Sequence, residues 1–322
     1  MPPPPDRTGP RAIGVDIGGT KIAAGVVTAA GHILDRTRLP TPPDDESATL
    51  AALFEVVEGL RARDPGVAAI GLGAAGLVEW PGGNARWAPH NSYRRMELRR
   101  LLHERTGLPT VVDNDANAAA WAEAGFGAGA GGGDLVLLTV GTGIGGGLVL
   151  EGRLHHGEHG FAAELGHLIV APEGDRCACG NLGCLEAMAS GSTLGRLGRE
   201  AAAGVGGGRL AALAAAAGAP VSGEVVFAAA LEGDKVALSL FERIGHWLGV
   251  GIASLVTIFD PDLVVVGGGV AATGDLLLAP ARASFERYVH GRAHRDLPPV
   301  VPTRLGDDGG LVGAATLALG RG

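Results

Sequence analysis

The sequence predicts an α/β protein with two domains. Three observations predict this fold class: apolar strand-like runs alternate with helical patterns, a glycine-rich hairpin occurs twice, and 322 residues with 46% hydrophobic content suffice for two cores. The alternation also predicts strands that are buried on both faces.

The strands and helices follow in a clear order. Apolar runs at 11–17, 22–27 and from 33 predict a meander of strands whose first turn is at Gly18-Gly19. The same strand–turn–strand pattern recurs, with a strand at 135–140, a turn at 141–147 and a strand at 148–151. Between the two copies we expect helices after positions 44, 92 and 115 and strands at 67–73 and 110–112. The longest helix should run from Asp234 to about Ile258, and a strand at 263–266 should lead into a Gly267 to Gly269 turn before the last helix.

Composition excludes several classes of protein. The net charge of −8 and the lack of a Lys/Arg block argue against a nucleic-acid or anionic-membrane partner, because phosphate backbones require clustered positive charge. No strongly apolar run is long enough to predict a membrane span, and the proline-rich start lacks a signal-peptide pattern. We therefore expect a cytoplasmic protein.

The first hairpin carries the groups of a phosphate site. Asp16, Gly18, Gly19, Thr20 and Lys21 combine a carboxylate, two residues without side chains, a hydroxyl and an ammonium. The glycines let backbone N–H groups approach a polyphosphate, and Asp16 can hold hydrated Mg²⁺. An ordinary tight hairpin is the alternative, and a P-loop is excluded because a strand follows instead of a helix.

The second hairpin contains a literal GxGxxG in Gly141, Thr142, Gly143 and the residues up to Gly146. A dinucleotide fingerprint needs a helix after these glycines, whereas residues 148–150 are strand-like. Two glycine hairpins in one chain suit a nucleotide whose phosphates are held from two sides.

The three cysteines predict a zinc site. Cys177, Cys179 and Cys184 lie ten or more residues after His167, and three thiolates with one imidazole satisfy tetrahedral Zn²⁺ in a closed, structural site. Three unrelated thiols beside a histidine are the alternative. Zinc would fix the segment that carries Glu164, His167 and Glu186, whose carboxylates can accept hydrogen bonds from a polyol.

These motifs resemble the ROK family (repressors, open reading frames and kinases), through Glu-x-Gly-His from Glu164 and Cys-x-Cys-Gly-x-x-Gly-Cys-x-Glu from Cys177. The resemblance covers the chain from Ile13 to the final helix. It implies an actin-like ATPase (ribonuclease H-like) fold with two domains around a cleft, at 11–121 plus 305–322 and at 122–304. Ala163 and Ala75 depart from the family pattern, which usually has glycine and proline there, and His90-Asn91 replaces Pro-Asn.

The resemblance also implies residue roles. Sugar binding falls to Asn114, Asp115, Glu164, His167 and Glu186, and zinc binding to His167 and the three cysteines. The nucleotide would contact the two hairpins and, on the adenosine side, Gly268 and Gly269. Asp115 would be the catalytic base; a simple helix cap is the alternative for the Asp113-Asn114-Asp115 run. His155, His156 and His159 are interpreted as a solvated turn.

The predicted function is ATP-dependent phosphorylation of the 6-hydroxyl of glucose, with Mg²⁺ and structural Zn²⁺. N-acetylmannosamine or N-acetylglucosamine kinase is the alternative, and polyphosphate is an alternative donor. A sugar-responsive repressor is disfavoured because only twelve residues precede Ile13, and a binding protein with a degraded site is disfavoured because every expected polar group is present. We expect a homodimer or homotetramer.

Overall fold

The computed structural model describes residues 9–42, 45–88, 94–204 and 208–321. The chain divides into two compact units. Unit 1 comprises Met1–Leu137, Gly146–Ala163 and Thr303–Gly322, and unit 2 comprises Leu138–Gly145 and Glu164–Pro302. The domain boundaries given above stay a prediction. Asn91, which belongs to one departure from the family pattern, lies outside the described residues, as does the chain start up to position 8.

The first half of the chain alternates strands and helices as expected. Its elements are β1 (Arg11–Ile17), β2 (Lys21–Thr28), β3 (Ile33–Pro40), α1 (Glu46–Arg63), β4 (Ala69–Ala74), β5 (Leu77–Val78), β6 (Ala85–Trp87), α2 (Leu98–Thr106), β7 (Thr110–Asn114) and α3 (Asp115–Phe126).

The second half continues the α/β pattern. Its elements are β8 (Leu135–Val140), β9 (Ile144–Leu150), β10 (Arg153–Leu154), α4 (Leu185–Ala189), α5 (Gly191–Ala203), α6 (Gly208–Ala217), α7 (Gly223–Leu231), α8 (Lys235–Phe259), β11 (Leu263–Gly267), α9 (Asp275–Tyr288), β12 (Val300–Pro302) and α10 (Gly309–Thr316). Single 3₁₀ turns lie at Leu165–His167, Ala271–Thr273 and Gly306–Asp308, and a π-helical turn spans Leu317–Arg321. Of the helices in these described ranges, none has the length and apolar character needed to cross a bilayer.

The sheet of unit 1 has the strand order β3-β2-β1-β4-β7. β1 to β3 form the predicted antiparallel meander, and β4 and β7 add parallel strands. α10 packs so closely on β1 and β4 that a Cβ at Gly14 would lie 1.9 Å from the oxygen of Leu311, and one at Gly71 1.7 Å from that of Ala314. The end of the chain is therefore part of the unit 1 core.

A buried carboxylate ties the segment before α10 to α3. Glu123 is 1% exposed, and its Oε1 accepts hydrogen bonds from the backbone N–H of Leu305 at 2.8 Å and of Arg304 at 3.0 Å. The hydroxyl of Thr303 also donates to Oε1, and the N–H of Ala128 donates to Oε2 at 2.7 Å. These backbone donors compensate for the burial of the charge.

The second sheet has the order β10-β9-β8-β11-β12. The predicted position of its second strand was wrong: β9 begins at Ile144, within the expected glycine turn. Glycine in this strand allows close packing, because a Cβ at Gly147 would lie 2.5 Å from the Cβ of Ala120 in α3 and 2.7 Å from the oxygen of Ala116. These strand glycines are packing positions as well as turn residues.

The long helix of unit 2 is confirmed. Asp234 caps α8 by accepting from the N–H of Ala237 at 2.8 Å, and the helix ends at Asp260, whose φ of 46° is left-handed. α9 packs against it at Gly245 and Gly249, where a Cβ would lie 2.5 Å from Pro280 and 2.2 Å from the oxygen of Ala281.

Candidate active site and metal centre

The first glycine hairpin is held by a backbone hydrogen bond and by the hydroxyl of Thr41, and its tip is open. The N–H of Gly18 donates to the oxygen of Lys21 at 3.0 Å, and the hydroxyl of Thr41 donates to the oxygen of Gly18 at 2.8 Å. Gly19 and Thr20 are exposed. The N–H groups and the hydroxyl at this tip are therefore accessible to a ligand.

Negative charge surrounds this hairpin. Burial and the neighbouring carboxylates of Asp115 and Asp307 together raise the pKa of Asp16 to about 7, against the opposing effect of Lys21. The ammonium of Lys21 donates to Oδ2 of Asp307 at 2.5 Å. α10 makes room for Asp16, since a Cβ at Gly310 would lie 2.7 Å from its Oδ2. A divalent cation would relieve this repulsion.

Asp307 was missed by sequence reasoning. It lies 286 positions after Lys21. The sole signal in the sequence is an acidic pair before Gly309-Gly310, and acidic residues are common at the start of a helix for reasons of stability alone.

The junction of β7 and α3 contains a helix cap, Asn114, and a carboxylate with a raised pKa, Asp115. Asn114 is the cap: its Oδ1 accepts from the N–H groups of Ala116 at 2.8 Å and Asn117 at 3.1 Å, and its Nδ2 donates to the oxygen of Gly76 at 3.0 Å. Asp115 is the first residue of α3, and burial raises its pKa even though it accepts from the N–H of Ala116 at 2.9 Å. A raised pKa makes this carboxylate a better proton acceptor than an exposed one.

The interpretation of the three histidines as a solvated turn was wrong for His156. Its Nε2 lies 2.7 Å from Oδ2 of Asp113, and its ring stacks on Trp80 with centroids 4.0 Å apart and planes 2° from parallel. The chain turns back after His156, whose oxygen accepts from the N–H of Ala162 at 3.0 Å, and this turn carries the ring inward. His155 and His159 are exposed, as expected.

The second glycine turn lies beside Glu186 in unit 2. Oε2 of Glu186 accepts from the N–H of Ile144 at 2.9 Å, and a Cβ at Gly143 would lie 2.3 Å from that oxygen. Thr142 is exposed, and the oxygen of Gly141 accepts from the N–H of Gly191 at 2.8 Å. The structure thus brings a predicted nucleotide turn and a predicted sugar ligand together.

The adenosine-side turn also belongs to unit 2. Gly268 has a φ of 89° and approaches the end of β8 so closely that a Cβ would lie 2.5 Å from the oxygen of Val140. Gly269 is exposed, with open space around its Cα. The left-handed conformation and the close approach explain why glycine stands at position 268.

The donor set of the cysteine segment fits a tetrahedral metal ion. Ligand atoms of His167, Cys177, Cys179 and Cys184 all lie within 4.8 Å of one another. The distance from Cys177 Sγ to His167 Nδ1 and that from Cys179 Sγ to Cys184 Sγ are both 3.7 Å. A tetrahedral zinc with Zn–S bonds of about 2.3 Å requires sulfur–sulfur distances of about 3.8 Å. The arrangement is consistent with the predicted zinc.

The chemistry of the thiols also favours a cation. Burial and the neighbouring thiols of Cys177 and Cys179 together raise the pKa of Cys184 to about 12. Three adjacent thiolates are therefore compatible only with a positive ion among them.

Two predicted sugar ligands border this cluster. With Nδ1 of His167 facing Cys177, its Nε2 lies 4.0 Å from Oε2 of Glu164. Oε1 of Glu186 lies 3.6 Å from Cys177 Sγ. Glu164, His167 and Glu186 therefore lie at the cysteine cluster in unit 2, while Asn114 and Asp115 belong to unit 1.

Comparison with known proteins identifies the family. The ROK family profile matches residues 12–321. The chain belongs to the ROK family. A glucokinase from Streptomyces coelicolor is 42% identical over 308 residues, covering 95% of this chain and 96% of that protein. An N-acetylmannosamine kinase from Escherichia coli is 37% identical over 312 residues, covering 96% and 98%.

A solved ROK structure has the same fold. The ROK family glucokinase from Streptomyces griseus, in complex with glucose and AMPPNP, superposes with a TM-score of 0.87 at 42% identity, covering 96% of this chain and 99% of that one. The predicted actin-like α/β fold is confirmed.

One departure from the ROK pattern has a structural consequence. Ala163, where the family usually has glycine, has a φ of 65° and is buried. Left-handed backbone costs a residue with a Cβ about 1–2 kcal/mol. This ROK protein therefore carries local strain immediately before Glu164.

Proposed function

We propose that this ROK protein is an ATP-dependent glucokinase that transfers the γ-phosphoryl group of ATP to the 6-hydroxyl of glucose. The observation that carries the proposal is the carboxyl group of Asp115, whose pKa is raised by burial at the first residue of α3. The similarity to glucokinases over 95% of the chain supports glucose as the acceptor.

Asp115 would act as the general base. It accepts the proton of the sugar hydroxyl while the hydroxyl oxygen forms a bond to the γ-phosphorus and the bond to the ADP oxygen breaks. Asn114 would orient the sugar, because its amide is already fixed by Gly76 and by the N–H groups of α3. Both residues lie at the junction of β7 and α3.

The nucleotide would bind through the glycine turns. The open tip at Gly19 and Thr20 offers donors to phosphate oxygens, and Lys21 adds positive charge; Gly141 to Gly143, Gly268 and Gly269 would contribute from unit 2. Mg²⁺ bound with ATP would neutralise phosphate charge, and Asp16 would hold it through water. The crowding of Asp16 by two other carboxylates supports this assignment.

Glucose would be recognised by Asn114, Asp115, Glu164, His167 and Glu186. When bound, zinc would cross-link this segment and would take no part in phosphoryl transfer, because His167 and the three cysteines would occupy all four of its coordination positions. Nε2 of His167 stays available to a sugar hydroxyl while Nδ1 faces the thiols.

The test is ATP consumption with glucose by the wild-type protein and by Asp115→Asn. We expect the variant to lose about 10²- to 10⁴-fold in kcat, the usual contribution of a general base. Calorimetric glucose binding and thermal unfolding should stay close to wild type. A correctly folded variant that binds glucose and turns over at nearly the wild-type rate would contradict the base assignment.

N-acetylmannosamine kinase is the second candidate, supported by the 37% identity to the enzyme from Escherichia coli. Comparing kcat/KM for glucose, mannose, N-acetylmannosamine and N-acetylglucosamine decides between them. A preference for an acetamido sugar of more than about tenfold would replace glucose in the proposal.

We also propose a cytoplasmic homodimer or homotetramer. The support is the likeness to bacterial glucokinases and the long α8, which offers an extended surface for a second copy. Light scattering of the purified protein tests the assembly.

A further inference from the structure

The proposed function leaves a buried pair of polar side chains without a role. The side chains of His156 and Asp113 are 11% and 4% exposed, and their Nε2 and Oδ2 atoms lie 2.7 Å apart. Both residues belong to unit 1, as do Asn114 and Asp115. Asp113 is therefore one residue before Asn114, a proposed sugar ligand, and two residues before Asp115, the proposed base.

Asp113 connects this pair to the start of α3. Its Oδ1 accepts from the N–H of Asn114 at 2.7 Å and from Nδ2 of Asn117 at 3.0 Å. Oδ1 of Asn117 has no hydrogen-bond partner in the described residues, so the orientation of this amide follows from its bond to Asp113. Asp113 thus holds both the backbone entering the helix and a side chain in its first turn.

His156 holds the other oxygen of Asp113 in place. A carboxylate can only accept, so Nε2 of His156 carries the hydrogen of this bond. The ring cannot tilt freely because it stacks on Trp80, and hydrogen bonds hold the backbone from His156 onwards: the N–H of Ala162 donates to the oxygen of His156, and the N–H of Trp80 donates to that of His159.

Burial makes the loss of this hydrogen bond more costly than the loss of the exposed ion pair at the first hairpin. Lys21 and Asp307 are 36% and 67% exposed, and water and salt weaken such a pair. Loss of His156, in contrast, would remove the donor to Oδ2 of Asp113, whose carboxylate is nearly inaccessible to water. The cheapest response is for Asp113 to turn towards water, and that rotation releases Asn114 and Asn117.

We propose that His156 is a positioning residue for Asp115, acting through Asp113 and the N-terminal turn of α3. The inference rests on the proposed role of Asp115 as base. Trp80, His156 and Asp113, called the positioning array below, would together hold Asn114 and Asp115 in the orientation that the sugar hydroxyl requires.

The test compares His156→Phe, which keeps a ring on Trp80 but removes the donor, with His156→Gln, which keeps an N–H donor. We expect the phenylalanine variant to lose about 10- to 100-fold in kcat, the effect of a misplacement of about 1 Å, with little change in the KM for ATP. The glutamine variant should recover at least part of the loss. His155→Phe, at an exposed neighbour, is the matched control and should behave as wild type.

A second readout does not depend on turnover. Hydrogen exchange of the Ala116 and Asn117 amides, which donate to Asn114, should become faster in His156→Phe and not in the His155→Phe control. If the wild-type protein had no kinase activity, the proposed function would fail while this measurement still tested the positioning array.

Each outcome decides the inference. Faster exchange together with a kcat loss that glutamine partly restores supports it. A folded His156→Phe variant with kcat within about threefold of wild type, or with unchanged exchange, overturns it even if its melting temperature falls. Should that variant fail to fold, Trp80→Leu serves instead: it keeps both hydrogen-bonding partners but removes the stacked ring, and it should lower kcat about fivefold or more, whereas an unchanged kcat overturns the inference.

Discussion

Replacing Asp16 by asparagine should stabilise the protein without nucleotide, and the gain should grow with pH. Burial raises the pKa of Asp16 from 3.8 to about 7, with Asp115 and Asp307 contributing. The folded state therefore favours the protonated carboxyl. Asparagine has the same shape and carries no charge, so it removes the penalty for ionisation while keeping the packing against Gly310.

The magnitude follows from the two pKa values. Each pKa unit corresponds to about 1.4 kcal/mol, so a rise from 3.8 to about 7 sets a ceiling of about 4 kcal/mol. Because the side chain is half-buried and water relaxes around it, we expect about 2 kcal/mol. In the unfolded state the carboxyl group ionises from about pH 4 upwards, and in the folded state only near pH 7. The free energy of unfolding of the wild type therefore falls between these two pH values and does not fall further, for this reason, above the higher one.

The assay is urea unfolding of wild type and Asp16→Asn at about pH 4 and about pH 8 without nucleotide. The variant should match wild type at the lower pH and exceed it at the higher one. Asp296→Asn, at an exposed position, is the control. At the higher pH, Mg²⁺ and ATP should raise the stability of wild type more than that of the variant, because binding stabilises the folded state in proportion to affinity.

The reasoning would be refuted by an Asp16→Asn variant that is no more stable than wild type above pH 7, or by a gain of equal size at both pH values. The first result would mean that the carboxylate is adequately solvated or paired. The second would mean that the gain arises from packing and not from charge.

Four further predictions concern the metal centre, a buried carboxylate, the strained residue and the second glycine turn. Cys179→Ser should weaken zinc binding, measured by competition with a chelator, by more than about 100-fold, since even the outer partners of metal ligands contribute about 10- to 100-fold. Glu123→Ala should lower the free energy of unfolding by about 3 kcal/mol, because it strands several buried backbone donors, and a loss below about 1 kcal/mol in urea unfolding would contradict this. Ala163→Gly should raise the free energy of unfolding by about 0.5 kcal/mol, because the relief of left-handed strain slightly exceeds the cost of ordering a more flexible glycine backbone. A destabilised variant would show that the strain is absent. Gly143→Ala places a Cβ 2.3 Å from the carboxylate of Glu186, so the KM for glucose should rise about tenfold, and an unchanged KM would count against a role of Glu186 in sugar binding.

Local motifs were predictable because short segments limit the positions of their residues. The turn of the first hairpin is closed by a bond between Gly18 and Lys21, three positions apart, and Asn114 caps α3 through N–H groups two and three positions away, so residue type and spacing indicated a turn at one place and the start of a helix at the other. The four metal ligands lie within eighteen positions, and two glycines, Gly180 and Gly183, have the positive φ that folds such a segment tightly.

Contacts between distant segments were not predictable in the same way. Lys21 and Asp307 are 286 positions apart, and His156 and Asp113 are 43 apart, so no spacing rule links them. His156 was assigned to a solvated turn because the sequence around the three histidines offers them no suitable partners. Its burial depends on the stacking partner Trp80, which another part of the chain supplies.

The sequence by itself therefore determined the α/β class, the two glycine hairpins, the donor set for zinc and the resemblance to the ROK family, because each depends on residues close together in the chain. The tertiary structure alone decided which charges surround Asp16, which oxygen of Asp113 faces His156, and why Gly14, Gly71 and Gly147 lack side chains. These features arise where sheets and helices pack, and close packing relates residues by their distance in space whatever their separation along the chain.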